Sequence, residues 1–442
     1  MSGRLAHLLA GAAAIAFAAA AVAAPDPALV WHPVVEVAHG PAEQGPWRQS
    51  QSRYDYVDDG TVAIDGDGGL AVAWVDQARK AVLLQRLTPA GAPLFAQPVD
   101  VSRQPATFSW LPRLAFAPGA PAQLYVAWQE IVFSGGSHGG EIFFARSGDG
   151  GATFETPLNL SRSKGGDGKG RIDRDTWHNG SFDLAAGPDG AVHAAWTEYG
   201  GALWHSRSTD GGQRFSPPRR IAGSDRVPAR APSLAVGRDG AVHLAWTVGD
   251  DPGADIRLAV SRDGGATFGT PRIVAPGRGW SDAPKLAVAP DGVVHLVYAQ
   301  STAGPTGPAH VRYARSPDGG RPFSAPREIS APMPPGAVGA SFPSLALDAR
   351  GNVVVTWELA QADGQQPRGL AITVSRDGGG SFTPPALVPH SVDPRGGVNG
   401  SRQGLLMKKL ALGEHGAIAV VNSSFQAGAR SRVWLMRANL QR

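Results

Sequence analysis

Two sets of residues in this 442-residue chain could do chemistry. The first is acidic. Two positions after the aromatic residues Trp74, Trp128 and Trp196 stand Asp76, Glu130 and Glu198. Hydrolysis of a glycosidic bond commonly uses two carboxylates that flank it, one of them a general acid. Glu130 and Glu198 are the candidates for those catalytic roles. The second set is mostly basic. Just before a recurring apolar-Ala-apolar triplet come Thr61, Arg113, Asp183, Ser233, Lys285, Ser344 and Lys409. A ring holding Arg113, Lys285 and Lys409 with a single acid, Asp183, would attract an anionic ligand. The segment from Ser161 to Ser181 adds Trp177 and His178 among Lys, Arg and Asp residues, an aromatic face beside mixed charge that suits a sugar. Arg53, in the segment from Gly40 to Asp58, is a further candidate contact.

Other constellations carry less. His193, His243 and His295 occupy one position in three successive repeats. Metal ligands must meet within about 2 Å of one ion, and repeat-related residues stand a whole repeat apart, so these histidines read as structural. Asp250, Asp251 and Asp255 form a small acidic loop without a recognised calcium spacing. No metal and no cofactor is expected. The chain has no cysteine, which excludes disulfides and thiolate nucleophiles.

The elements that must position these groups are written in a repeat. The phrase S-x-D-G-G-x-x-F occurs five times, from Ser147 to Phe154, Ser208 to Phe215, Ser261 to Phe268, Ser316 to Phe323 and Ser375 to Phe382. Its glycines permit the positive φ of a tight turn, and its Asp and Ser can accept hydrogen bonds from that turn. Asp149, Asp210, Asp263, Asp318 and Asp377 therefore read as turn staples. A proline three residues after each Phe marks the strand that follows as an edge strand. Upstream of the phrase lies an Asp-Gly turn and a β-rich run ending in an aromatic, as in Asp189 to Trp196, Asp239 to Trp246 and Asp291 to Tyr298. One unit is thus strand, turn, strand, loop, strand, box, strand, which is a four-stranded antiparallel propeller blade. Six units are complete, the first with a decayed box from Thr88 to Phe95. A seventh begins at Lys409 and ends one strand short near Val433 to Met436. The segment Pro33 to Val37 is the spare strand. The expectation is an all-β, seven-bladed propeller closed by an N-terminal strand, with the six-bladed form as the alternative.

The five boxes resemble the Asp-box (BNR-repeat) motif of the sialidase-like superfamily, across essentially the whole chain after its first segment. The resemblance implies a propeller whose ligands bind over the central channel, on the face opposite the boxes. It also implies an exo-sialidase-like glycoside hydrolase acting on anionic glycans. Sialidases carry an early Arg-Ile-Pro segment that this chain lacks. Arg53-Tyr54-Asp55 stands nearest to it, and Arg113, Arg230 and Arg402 could supply arginines from other blades. The same superfamily contains binding proteins, so the alternative is a non-catalytic propeller that binds a protein or a polysaccharide.

The first 23 residues read as a signal peptide: Arg4, an apolar run from Leu8 to Ala21, and Ala21-Val-Ala23 as cleavage site. Residues 24–442 form the propeller, expected to be secreted or periplasmic and monomeric. No later segment is apolar for long enough to span a membrane. The net charge of +4 is spread without a basic run, which argues against nucleic acid as a partner. Most arginines read as solvated blade faces.

Overall fold

The computed structural model describes residues 29–46, 48, 51–103, 107–131, 140–162, 171–172, 177–178, 181–198, 201–224, 226–248, 255–274, 279–304, 307–362, 366–400 and 407–441. The signal segment, Arg402, Asp250 and Asp251 lie outside them, as do the side chains of Trp177 and His178. Seven antiparallel sheets surround one axis. Their innermost strands are Val57–Ile64, Ser109–Ala117, Phe182–Ala186, Ala229–Val236, Trp280–Val288, Ala337–Leu347 and Leu410–Leu412. Blades are numbered 1 to 7 in that order. Among the described residues no helix is present.

Closure follows the expected route. In blade 7 the fourth strand comes from the start of the chain: Val35 pairs with Leu435 and Glu36 with Trp434. The segment Leu29–Trp31 continues the pairing to Leu440. Joining first and last strands leaves no open sheet between the termini of the ring.

Each blade buries its second strand almost completely. Trp74, Trp128, Trp196 and Trp357 are fully buried, with Trp246 and Tyr298 at the same position in blades 4 and 5. Blade 7 departs from this. Asn422 stands where the others carry an aromatic, and it too is buried. Its amide donates to Ser391 O at 2.9 Å and to Asn399 Oδ1 at 3.0 Å. A buried amide is stable only when its partners are supplied.

The box turns are locally stapled. In the blade 4 box, Thr267 N–H donates to Asp263 Oδ1 (2.8 Å), Thr267 Oγ1 to Oδ2 (2.6 Å) and Ser261 Oγ to Oδ1 (2.7 Å). Asp149, Asp210 and Asp377 take the equivalent backbone bond from Thr153, Arg214 and Ser381. Hydrogen bonds to the charged form hold all four carboxyls below the usual Asp range, Asp210 at about 2. Asp318 departs from the set. Pro322 occupies the donor position and has no N–H, and that turn is held through Ser316 Oγ accepting from Gly320 N–H at 3.0 Å.

Four arginines depart from the general reading as solvated blade faces. Arg86, Arg146, Arg207 and Arg315 are not simply solvated. Each donates from Nη1 to the carbonyl of the first box glycine of the next blade: Gly150 at 2.7 Å, Gly211 at 3.1 Å, Gly264 at 2.6 Å and Gly378 at 2.5 Å. These latches bind neighbouring blades along the box face. The second box glycine packs equally tightly. A Cβ on Gly265 (φ 83°) would lie 3.0 Å from both His193 and His205.

Candidate functional site

The seven mouth positions align in space as they do in sequence. Thr61, Arg113, Asp183, Ser233, Lys285 and Ser344 each pair with the residue before the blade's second-strand aromatic: Ala73, Ala127, Ala195, Ala245, Val297 and Thr356. Lys409 holds the same place in blade 7, its carbonyl accepting from Val421 N–H. A bulge precedes five of these positions. Asp59, Leu111, Ala231, Ala283 and Phe342, each two residues upstream, hold a left-handed backbone with φ between 46° and 56°. Bulges re-aim a strand where it meets a site. Here they bend the inner strands at the channel mouth, ahead of Pro112, Pro232, Pro284 and Pro343 in four of the five blades.

The side chains at the seven positions divide into two groups, Thr61 falling in the first through its Oγ1, which donates to Lys408 O at 3.1 Å. One group stitches blades together. Asp183 Oδ2 accepts from Leu234 N–H (2.8 Å), Ser233 Oγ from Leu286 N–H (3.0 Å) and Ser344 Oγ from Lys409 N–H (3.2 Å). Asp183 is also engaged by Lys408 Nζ at 2.6 Å, a neighbour that sequence reasoning passed over for Lys409. Lys409 itself turns away from the mouth. It is 3% exposed, its Nζ 2.5 Å from Glu358 Oε1 and 2.9 Å from Asn422 Oδ1. Burial raises the Glu358 carboxyl above its ordinary range, against the pull of Lys409. Asp183, paired with Lys408, and Lys409, paired with Glu358, are therefore each held inside the ring, which corrects their expected place as open ligand contacts.

The other group is Arg113 and Lys285. They line one narrow pocket with Phe182, Ala231, Phe342 and Met407. The Arg113 guanidinium lies over the Phe182 ring, 5.1 Å from its centroid, and donates to Pro112 O at 3.2 Å. Burial lowers the pKa of Arg113, while Asp183 and Asp59 oppose the shift. Lys285 is pushed down to about 7, first by burial and then by the Arg113 charge. Burial also raises Asp59 to about 8. The two cations thus lie together within reach of the charges of Asp59, Asp183 and Asp282.

The candidate carboxylates do not come together as a pair in the pocket. Glu130 is 1% exposed and accepts from Thr107 Oγ1, from Ser109 Oγ at 2.7 Å and from Trp128 Nε1 at 2.8 Å. Burial raises it to about 7 against those three donors. Glu198 is half-buried in the turn between the second and third strands of blade 3, its N–H donating to Ala202 O. Arg53 is exposed, with its carbonyl accepting from Gly45 N–H. The backbone of Trp177–His178 pairs with Arg171–Ile172.

His193, His243 and His295 are buried inside their blades. His193 Nδ1 lies 3.2 Å from His205 Nε2, and His295 Nδ1 lies 2.8 Å from the Tyr313 hydroxyl. Burial holds all three at about 4, so they are neutral at pH 7. Among the described residues no three His, Asp or Glu side chains gather as a metal site.

No protein-family model and no curated protein matches this chain. Solved structures do. An ulvan lyase, solved bound to -[GlcA(1-4)Rha3S]-, aligns with TM-score 0.52 at 10% identity over 91% of this chain and 95% of its own. The polysaccharide lyase Uly1 aligns with TM-score 0.52 at 11% identity over 93% of this chain and 100% of its own. A Hadza microbial sialidase aligns with TM-score 0.45 at 15% identity, covering 92% of this chain and 91% of the sialidase. At these identities the likeness to the two lyases concerns the fold.

Proposed function

We propose that the chain is an exported, carbohydrate-active propeller that takes an anionic glycan at its channel mouth. The observation that carries this reading is that Arg113 and Lys285, from blades 2 and 5, line one pocket together with the aromatic rings of Phe182 and Phe342. A sialate or uronate carboxylate is a ligand class that two neighbouring cations recognise through charge-assisted hydrogen bonds. The ulvan lyase of like fold is named with a bound glycan that contains a uronic acid, which supports the same ligand class. Hydrolysis in the manner of a sialidase is the second reading. Glu198 favours it as a half-exposed carboxylate on the mouth face. Glu130 has a pKa near 7 that suits a general acid, although its three donors come from its own blade.

The test is titration of the protein with N-acetylneuraminate, glucuronate and neutral galactose. The reading expects the two acids to bind, more weakly as salt rises, and galactose not to bind. It expects the Arg113→Ala, Lys285→Ala double variant to lose the acids. Equal binding by that variant overturns the reading. A panel of aryl glycosides tests turnover, with Glu198→Gln expected to abolish it and to spare affinity.

A further inference from the structure

A second hollow opens between blades 5 and 6. It encloses about 350 Å³, the size of a small-molecule site, against about 10 Å³ for the pocket of Arg113 and Lys285. Two of the residues in its wall, Trp280 and Phe342, are aromatic and half-buried. Elsewhere such rings meet partners: Trp128 stacks on Phe143, and the Arg432 guanidinium covers Trp434. Among the described residues neither Trp280 nor Phe342 meets another ring or a cation.

Asp282 is the one ionisable side chain in the described wall. It is clamped through a single oxygen. Oδ1 accepts from Ala283 N–H at 2.7 Å and from Thr247 Oγ1, in blade 4, at 2.9 Å. Oδ2 takes no hydrogen bond from the described residues. The Lys285 ammonium acts on Asp282 only through space: it lines the smaller pocket, and no ion pair joins the two. Gln361, on the blade 6 side, donates from Nε2 to Arg368 O at 3.3 Å and keeps its carbonyl oxygen as an acceptor. The hollow thus offers a held carboxylate, a further acceptor and two unpaired aromatic residues. An anion there would face Asp282 without a cation in the described wall. A neutral hydroxyl can donate to Oδ2, but only a cation gains from the carboxylate charge and from the aromatic faces together. We propose that this hollow binds a small organic ammonium ion, seated against Trp280 and Phe342 and paired with Asp282 Oδ2, independently of the anionic glycan proposed for the mouth.

The probe is choline, titrated against the full chain by ligand-observed NMR beside its uncharged tert-butyl analogue. Choline should bind about tenfold or more tightly than the analogue, with the difference narrowing as salt rises. Asp282→Asn keeps an acceptor for Ala283 N–H and Thr247 and removes the charge, so it should erase the difference. Trp280→Ala should weaken choline about tenfold, and Trp280→Phe much less. Should Asp282→Asn fail to fold, the two Trp280 variants carry the test. Equal binding of choline and its analogue, binding of neither, or an unchanged choline affinity in Trp280→Ala overturns the proposal. Glucuronate should not displace choline; displacement would place both ligands in one site and overturn a separate cation site.

Discussion

The two faces of the propeller use the same repeat in opposite ways. On the box face, one motif is copied and does the same thing each time. Ser and Asp satisfy their own turn, the glycines fit against the previous blade, and an arginine from that blade caps the first glycine carbonyl in four cases. At the channel mouth the backbone is copied but the side chains are not. Seven equivalent positions hold Thr, Arg, Asp, Ser, Lys, Ser and Lys, and Asp183, Ser233, Ser344 and Lys409 reach partners in other blades. Sameness on one face serves assembly. Divergence on the other brings Arg113 and Lys285 to one pocket of an otherwise stitched ring. Fold and function are thus read from different parts of each blade.

That difference can be broken from either side. The largest effect should come from the closure. Removing residues 29–40 deletes the outer strand of blade 7 and exposes the edge of Arg430–Leu440. The whole ring should unfold at a much lower temperature, measured by circular dichroism. An unchanged midpoint would mean that the strand is dispensable.

A smaller but still severe loss is expected at Lys409–Glu358. Breaking a buried ion pair from one side commonly costs about 3–5 kcal/mol, because the remaining charge stays buried. Glu358→Ala should destabilise the fold by an amount in that range in urea titration. If Lys409 instead served the ligand, Lys409→Met would reduce glycan affinity and leave stability untouched.

The arginine latches come next. Arg207→Ala removes the donor to Gly264 O and should cost about 1 kcal/mol, the usual net worth of one hydrogen bond, with no change in ligand affinity. The mouth should answer to pH instead. Folding depresses the Lys285 pKa from 10.5 to about 7. The unfolded chain therefore holds this proton where the folded protein has released it, and the contribution of Lys285 to stability rises with pH from about 7 to about 10. Anion affinity runs the other way, falling as pH climbs through about 7 and the cation is lost. Calorimetric titrations at pH 6 and pH 8.5 would separate the two trends. Equal affinity at both pH values would remove Lys285 from the site.

The sequence carried most of the fold because the repeat is local. The turn residues from Ser147 to Phe154 explain one another within eight positions, and the missing last strand pointed to Pro33 to Val37, which overlaps the observed strand Val35–Gly40. The mouth was only half legible. The alignment placed all seven positions on equivalent inner strands, yet it could not tell Lys408 from Lys409. Their partners, Asp183 and Glu358, sit in blades 3 and 6, and only the closed ring decides which lysine faces which. Glu130 was hidden in another way: its donors Thr107, Ser109 and Trp128 belong to its own blade, but the alignment of strand ends shows none of their side-chain contacts. The latches did leave a signal. Arg146, Arg207 and Arg315 each precede a box serine, a recurrence with no explanation inside a single turn.

The division between the two faces is tested most directly by measuring melting temperature and sialyllactose or glucuronate affinity on the same samples of Asp263→Ala and Lys285→Met. Asp263→Ala should melt earlier, since Thr267 and Ser261 lose their acceptor, and should bind the acid sugar as the parent does. Lys285→Met keeps the apolar stem and removes the charge, so it should melt no earlier and lose affinity. A stable Asp263→Ala that no longer binds, or a Lys285→Met that binds unchanged, would contradict the assignment of assembly to the box face and recognition to the mouth.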